Sequence, residues 1–564
     1  MSEEPIVKTY VPLFALMILI TAPPATIQGQ DGKTVVIAVM KAMGVENLKT
    51  LQFSGEGSNA GIGQNINPKT GWPTVRVKSY TRQIDINAGT SSAQLVRVQN
   101  GAETQQNQVI QANAPWDQQF DFWITPYGFL KGAMANPVTL RAGTISGTNY
   151  KVVTFVLQNK YKVEGYINDQ NLVERVHTWI DNDVLGDMLV EGVYSDYKDF
   201  DGVKAPTFMI VKQGGFPTLI LAVNNVKANV PVMISPLPQQ ATAPVNVQTE
   251  KVADGVYYLK GGTHHSVLVE FSDYVAVIEA PQNEARSLAV IAEVKKLIPN
   301  KPIRYLINTH HHFDHSGGLR TYVDAGATIV THDINQEFYE RAFAAPRTLN
   351  PDRLERSKKK AMIEVTGNKK VLTDATRTLE LHLIQNNPHN DGILMAFLPR
   401  EKILIEADLY TPPAANAAAA SGAVNPAALA LLDNLEKLRL DFDTILPLHG
   451  PGRVTRADLY AFVAKPLVPM ASLLAPAPAR VAAGARGGRG GGQPAAAVSA
   501  EDAPLQAMLE ATCSACHTLD RVNAKKADKD GWTTTVTRMI DHGARLAEDD
   551  APRLIDFLAR THGQ

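Results

Sequence analysis

The first half of the chain alternates apolar and polar residues in short runs that follow one helix-like segment. Residues 34–44 (TVVIAVMKAMG) have the spacing of a short amphipathic helix. The runs that follow are rich in β-branched and aromatic residues, are bounded by Gly, Asn and Asp, and lie at 74–86, 151–157, 161–167, 173–180 and 218–223. The pattern predicts an antiparallel, β-rich N-terminal domain over residues 31–245.

An Asp-Gly pair at 201–202 separates two strand-like runs within 194–215, which predicts a hairpin with a tight turn. The helix followed by these strands resembles the curved half-barrel sheets of periplasmic lipoprotein-carrier-like domains. The resemblance rests on pattern alone. It leaves open whether the domain binds an apolar ligand or is purely structural.

Strands and helices alternate after a Pro- and Ala-rich linker at 230–245. Predicted strands lie at 266–271, 274–279, 303–308, 327–331, 378–384, 392–398, 402–407 and 444–446, and predicted helices at 283–298, 317–323 and 426–439. This alternation indicates a layered α/β unit, which we place at residues 246–467. The low-complexity segment 411–425 follows Asp408, and we expect it to overhang whatever site that residue serves.

The two ends of the chain carry segments of a different kind. Val11–Ile20 (VPLFALMILI) is apolar, but its ten residues fall short of the roughly 20 that span a bilayer. With Lys8 before it and small residues after it, the run predicts a secretory signal peptide over residues 1–30. An uncleaved anchor is the alternative, because the chain starts with acidic residues.

Composition narrows the function classes. The chain has 564 residues, and at roughly 100–200 residues per domain it should contain several domains. Its 55 Lys and Arg balance 56 Asp and Glu, so no overall positive field favours nucleic acid, and we predict none as a partner. Ala, Gly, Pro and Arg dominate a predicted flexible linker at 468–502, and the periodicity of residues 503–564 is helical.

Ligand-type side chains cluster in the segment INTHHHFDHSGGL at 307–319. His310, His312, Asp314 and His315 follow the order H-x-H-x-D-H directly after a predicted strand. Imidazole and carboxylate groups are good ligands for zinc-class metals, and this spacing can serve two adjacent ions. The segment therefore predicts a metal site.

The motif resembles the signature of the metallo-β-lactamase superfamily, since His389, Asp408 and His449 follow in family order after further predicted strands. The resemblance covers residues 252–467 and implies a central αββα sandwich. A departure is Pro388-His389-Asn390, where the family usually has Gly before the His and Ser or Thr after it. This puts the local loop geometry in doubt, though not the imidazole.

The resemblance also implies which residues bind each metal. The implied ligands are His310, His312 and His389 for the first metal, Asp314, His315 and His449 for the second, and Asp408 as the bridge. Two zinc ions are expected, with iron or manganese as open alternatives, and they would supply hydroxide near neutral pH for metal-assisted hydrolysis of a small-molecule substrate. Asp314 is the candidate catalytic residue, because it can orient the nucleophile or take its proton.

Four other histidines invite weaker interpretations. His311 lies between two candidate ligands and should point away from them. His264 and His265 precede the first strand of the central unit and lie either on the rim of the site or in ordinary hydrogen bonds. His382 lies within a predicted strand, and we expect a structural role.

The C-terminal region contains Cys513-Ser514-Ala515-Cys516-His517, which matches the CxxCH haem-attachment motif. The surrounding sequence resembles small c-type cytochrome domains. That resemblance implies an all-α cytochrome c-like domain with a covalent haem c on Cys513 and Cys516. His517 and Met539 would be the axial iron ligands, with His542 and Met508 as the alternatives to Met539. Haem attachment of this kind usually occurs outside the bacterial cytoplasm, which agrees with the predicted signal.

Three functions follow, and the sequence leaves them open. The first is an exported, dinuclear-zinc hydrolase of esters, lactones or lactams with an electron-transfer domain, and His312 favours it, because redox di-iron members of the superfamily typically have Glu there. The second is a non-haem iron oxidoreductase that uses the haem as electron relay. The third is an electron carrier or binding module with a vestigial metal site. We expect a periplasmic electron-transfer partner and no transmembrane domain after signal cleavage.

Overall fold

The structure is a computed structural model. It describes residues 27–28, 30–99, 101–235, 245–413, 425–469, 502, 505–506, 508–509, 522, 525–541, 546 and 550–563. Most of the predicted signal peptide, most of the low-complexity segment 411–425 and nearly all of the predicted linker at 468–502 lie outside these residues. The boundaries proposed at 245 and 467 also lie at or near such gaps, so the domain limits stay predictions.

The N-terminal unit is one antiparallel sheet of twelve strands in the order β1-β6-β7-β8-β9-β10-β11-β12-β2-β3-β4-β5. Its strands are β1 (Ile27–Gln28), β2 (Thr50–Ala60), β3 (Thr74–Asp85), β4 (Thr90–Gln99), β5 (Ala102–Ile110), β6 (Thr139–Ile145), β7 (Thr148–Leu157), β8 (Tyr161–Ile167), β9 (Val173–Asn182), β10 (Gly186–Phe200), β11 (Val203–Gln213) and β12 (Phe216–Ala228). The predicted hairpin is confirmed. Asp201 and Gly202 have φ of 52° and 88°, the left-handed values that a tight turn of this kind needs.

Three helices pack against this sheet, namely α1 (Gln30–Met43), α2 (Trp116–Trp123) and α3 (Pro126–Ala135). The predicted helix at 34–44 is confirmed as α1, whose Val36, Val39 and Met43 are fully buried in the N-terminal core. Sequence analysis did not predict α2 and α3. Helix α3 is buried on most sides and therefore lacks the polar stripe by which an amphipathic helix is recognised.

The central unit consists of two sheets. The first contains β13 (Gln248–Ala253), β14 (Val256–Lys260), β15 (Ser266–Glu270), β16 (Val275–Ile278), β17 (Ile303–Ile307), β18 (Thr328–His332) and β19 (Ile363–Thr366). The second contains β20 (Lys369–Thr373), β21 (Thr378–Leu383), β22 (Leu394–Leu398), β23 (Ile403–Glu406), β24 (Thr444–Pro447) and β25 (Val454–Thr455). Both are mixed, with parallel pairing from β16 to β19 and between β23 and β24.

Helices surround the two sheets. They are α4 (Glu284–Leu297), α5 (Phe313–Ser316), α6 (Leu319–Ala325), α7 (Gln336–Ala344), α8 (Arg353–Ser357), α9 (Pro426–Leu438) and α10 (Arg456–Phe462), with a 3₁₀ turn at Asp333–Asn335. All lie on the outer faces except α5, which lies at the strand ends. Val267 and Ile307 of the first sheet meet Leu381 and Ile405 of the second in one apolar core. The layers are therefore αββα, as the resemblance implied.

The described C-terminal residues include two helices, α11 (Lys529–Asp541) and α12 (Ala551–Thr561). Trp532, Leu554 and Phe557 form the centre of their shared core. Whether this region is a cytochrome domain stays a prediction. Among the described residues, no helix combines the length and the apolar character needed to cross a bilayer.

The N-terminal and central units are joined by a buried charge network. The Arg347 side chain is 3% exposed, and its Nη2 lies 2.6 Å from Asp181 Oδ1 at the end of β9. Its Nη1 lies 3.2 Å from Asp352 Oδ2 of the central unit. Val184, from the turn after β9, belongs to the core beneath the first central sheet. The two units are therefore packed together.

Arg347→Ala should destabilise the protein by roughly 1–3 kcal/mol, because it removes the contacts to Asp181 and Asp352, while Arg320 still pairs with the buried Asp352. Chemical denaturation of the full chain measures the change. Arg341→Ala is the matched control, since that side chain is 60% exposed in an i,i+4 pair with Glu337. Loss of this exposed ion pair should lower the free energy of unfolding by only about 0.3–0.5 kcal/mol. Equal effects of the two substitutions would contradict the assigned role of the buried network.

Candidate metal centre

The candidate ligands lie where strands of both central sheets end. They are His310 and His312 after β17, Asp314 and His315 in α5, His389 between β21 and β22, Asp408 after β23, and His449 after β24. Because the two sheets pack face to face, these strand ends meet at one edge of the sandwich. The structure therefore brings together all seven residues singled out in the sequence.

One oxygen of Asp408 faces what we call the first group, His310, His312 and His389. Asp408 Oδ2 lies 2.8 Å from His389 Nε2 and 3.2 Å from His310 Nε2. His312 Nδ1 is 4.0 Å from the same oxygen. These four donor atoms all lie within 4.8 Å of one another, so they can hold one metal ion.

The other oxygen of Asp408 faces the second group, Asp314, His315 and His449. Asp408 Oδ1 lies 2.7 Å from His449 Nε2 and 3.0 Å from His315 Nε2. Asp314 Oδ2 lies 3.6 Å from His315 Nε2. His264 lies beside this group, and its donor atom falls within 4.8 Å of the donors of all three residues.

Hydrogen bonds on the far side of the rings orient four of the imidazoles toward the site. The bonded pairs are His310 Nδ1 with Thr309 Oγ1 at 3.0 Å, His312 Nε2 with Asn65 O at 2.9 Å, His315 Nδ1 with Glu279 Oε2 at 2.9 Å, and His449 Nδ1 with Thr263 O at 3.1 Å. A carbonyl oxygen can only accept, so His312 and His449 carry their proton on the outer nitrogen when neutral. Their inner nitrogen is then free to bind a metal.

Glu279 is a fully buried carboxylate behind the second group, and sequence analysis did not identify it. Besides His315, it accepts hydrogen bonds from Asn308 Nδ2 at 3.1 Å and from Thr309 Oγ1. Glu279 and Asp408 have φ of 76° and 64°, a left-handed conformation that costs roughly 1–3 kcal/mol for a residue with a side chain. The surrounding structure holds Glu279 and Asp408 in this strained backbone conformation.

Burial and neighbouring charges give the acids and histidines of the site different charge states at pH 7. Burial lowers the pKa of His310 well below its ordinary value and that of His312 to about 4, so both are neutral at pH 7. Burial alone would raise the pKa of Asp408 and lower that of His315, but their mutual attraction dominates and shifts both in the opposite direction. Burial raises the pKa of Glu406, which lies two residues before Asp408, to about 8, so its carboxyl group is protonated at pH 7.

A loop of the N-terminal unit, residues 61–73 between β2 and β3, forms one wall of the site. Gln64 Nε2 donates a 2.7 Å hydrogen bond to Asp314 Oδ1 across a separation of 250 residues. Asn65 is 2% exposed, and its carbonyl is the acceptor that orients His312. No local sequence signal marks either residue, because each acts only through a distant segment.

Close backbone contact holds this loop in place. Phe313 N donates to Gly63 O at 3.3 Å, and Trp72 packs edge-on against the Phe313 ring. Gly63 has φ of 72°, and a Cβ there would lie 2.3 Å from that ring. Only glycine fits this position without displacing Phe313.

The residues present fit two metal ions. His312 Nδ1 is buried and has no hydrogen-bond partner among the described residues, a state that costs about 1–3 kcal/mol unless the atom binds something. Donors at about 2.0–2.1 Å from one tetrahedral ion lie roughly 3.3 Å apart, close to the distances around Asp408. The side chains of Asp314 and His389 are 33% and 24% exposed, against 0% for His310, so the site opens on their side.

The other predicted residues take different positions. His311 points away from both groups, as expected, with its Nε2 3.0 Å from Asn65 Oδ1. His265 Nε2 lies 2.7 Å from Gly450 O, and His382 Nε2 lies 2.8 Å from Glu380 Oε2, as expected for structural histidines. The haem-motif residues Cys513, Cys516 and His517, with His542, lie outside the described residues. Met539 lies in α11, but its side chain is outside the described part.

Residues 259–408 match the family model of the metallo-beta-lactamase superfamily. This chain therefore contains a metallo-beta-lactamase superfamily domain. The match ends at Asp408, so it includes every candidate ligand except His449.

Similarity to individual proteins is more distant. The chain is 24% identical over 178 residues to 2,4-dinitroanisole O-demethylase subunit alpha of Nocardioides sp. (strain JS1661), a match covering 30% of this chain and 49% of the relative. The chain thus spans about half the length of this curated relative. A metallo-beta-lactamase from Pontibacter korlensis is 16% identical, with 39% of this chain and 98% of that chain covered and a TM-score of 0.29. One from Hirschia baltica is 19% identical, with 39% and 99% covered and a TM-score of 0.30.

Glu279→Gln should weaken metal binding by the second group about 10- to 100-fold, because it removes the negative charge behind His315 at nearly constant volume. Titration of metal-free protein with Zn²⁺ against a chelator measures this affinity. Glu337→Gln, at a position on the exposed face of α7, is the matched control and should bind as the wild type does. Unchanged affinity in the Glu279 variant would show that this carboxylate does not tune the imidazole.

Proposed function

We propose that the chain is a metal-dependent hydrolase in which the first and second groups each hold one divalent ion and Asp408 lies between them. The position of Asp408 supports this proposal most strongly, because one oxygen faces each group. Zinc is the proposed metal, while the nitrogen and oxygen donors also suit iron or manganese. The proposed substrates are esters, lactones and lactams, and the named substrate of the demethylase relative adds methyl ethers to that range.

Two divalent ions bound here would lower the pKa of a shared water toward neutrality and polarise a substrate oxygen. Asp314 is the most exposed of the candidate ligands and lies at the open side of the site. Gln64 holds one of its oxygens and thereby directs the carboxylate. We assign Asp314 the transfer of a proton from the attacking water to the departing oxygen.

In ester hydrolysis these roles account for every bond and proton. The water oxygen forms a bond to the carbonyl carbon, and the bond from that carbon to the alcohol oxygen breaks. One proton moves from the water through Asp314 to the alcohol. The buried histidines of the first group exclude bulk water from the inner side of the site, while the substrate enters from the side of His389.

We further propose export to the periplasm, a covalent haem c on Cys513 and Cys516 with His517 and Met539 as axial ligands, and a periplasmic electron-transfer partner. The support is the sequence, namely the CxxCH motif and the apolar N-terminal run.

A non-haem iron oxidoreductase is the second candidate, and the CxxCH motif favours it. Zinc has no redox chemistry, so a haem domain has an evident task only if the paired metal site also exchanges electrons. In that case the same ligands would hold iron, and the haem would relay electrons to or from the site.

His310→Ala and Asp408→Ala should each abolish turnover of any ester, lactone or lactam that the wild type hydrolyses, because each removes a donor from the paired site. Initial rates at equal protein concentration measure the loss. His382→Gln, a buried histidine outside the site, is the control and should keep wild-type rates. Activity that survives both alanine substitutions would place the chemistry elsewhere.

Elemental analysis separates the two candidates. Protein from a host that matures cytochrome c should contain about two zinc and one iron per chain if the hydrolase assignment holds. About three iron and no zinc would instead support the oxidoreductase, and oxygen consumption would be the next assay.

A further inference from the structure

His264 lies against the second group, although it is not part of the ligand set that the resemblance implied. It stands in the turn between β14 and β15, where it pairs with His449 as an isolated β-bridge. The two imidazole rings are 4.1 Å apart between centroids, and His264 Nε2 lies 3.1 Å from Asp314 Oδ2. The His264 side chain is only 12% exposed, so it is part of the site wall and not of the outer rim.

The ring is oriented as the candidate ligands are. Thr263 Oγ1 lies 2.7 Å from His264 Nδ1 and can accept a hydrogen bond from Nδ1–H, and in that tautomer the Nε2 lone pair is directed at the second group. Gln282 Nε2 lies 3.5 Å from the same Nδ1, beyond the usual length of a hydrogen bond. The 3.1 Å distance to Asp314 falls among the 2.7–3.2 Å distances from His449 and His310 to Asp408.

We propose that His264 is an additional ligand of the second metal, an inference that rests on the proposed two-metal function. The second ion would then have imidazoles from His264, His315 and His449 and carboxylates from Asp314 and Asp408. The first ion would have three imidazoles and the shared carboxylate. With more protein donors, the second ion should be retained longer when a chelator removes metal.

Co²⁺ titration of the full-length, metal-free protein tests this assignment, because visible absorption reports the ligands of the ion. Two substitutions at the position, His264→Gln and His264→Ala, should weaken the second Co²⁺ about 10- to 100-fold or more and change its spectrum. Gln64→Ala is the matched comparison, since it also removes a contact to Asp314 but no imidazole. It should have a smaller effect and keep the wild-type spectrum, and His382→Gln should change neither.

The results distinguish failure of the two-metal function from failure of the His264 assignment alone. If wild-type protein binds fewer than two Co²⁺, the two-metal function fails and the ligand assignment fails with it. If the wild type binds two and His264→Gln keeps both the spectrum and the affinity of the second ion, or matches Gln64→Ala, only the ligand assignment is overturned. His264 would then act by positioning Asp314. The glutamine variant retains side-chain volume, so circular dichroism should show a folded protein.

Discussion

The buried carboxylate of Asp408 is the constraint on which the rest of the site depends. A negative charge removed from water is costly unless cationic or hydrogen-bonding partners surround it. Here those partners come from strand ends in both central sheets, with histidines on each of its two oxygens. The site can form only when the two sheets pack face to face, so the two groups of candidate ligands depend on the apolar core between the sheets.

The N-terminal unit is a structural part of this centre. Its loop at 61–73 supplies the amide that holds Asp314 and the carbonyl that orients His312. The buried Arg347 network fixes the same unit at a second place. Two separate anchor points restrict how the loop can move, and a candidate ligand whose side chain is held from outside its own domain requires such rigidity.

Strain and charge are concentrated at the same place. Glu279 and Asp408 adopt left-handed backbone conformations, and His315 contacts both carboxylates, one through each ring nitrogen. Local strain of this kind persists only where the surrounding packing and hydrogen bonds determine the conformation. Burial raises the pKa of both Glu406 and Asp408, but histidines lower that of Asp408 again, so the partners around each buried acid decide its charge.

The sequence by itself determined the strands and helices whose apolar period is regular, the Asp-Gly turn at 201–202, and the ligand residues of the H-x-H-x-D-H motif. These features depend on neighbours within a few residues, so a local pattern carries them. Only the tertiary structure placed His264 beside Asp314, brought Gln64 across 250 residues to the same carboxylate, and showed Glu279 behind His315. It also revealed α3, whose burial on most sides leaves no amphipathic signal. Contacts between distant segments depend on how sheets and domains pack, and a local periodicity does not record that packing.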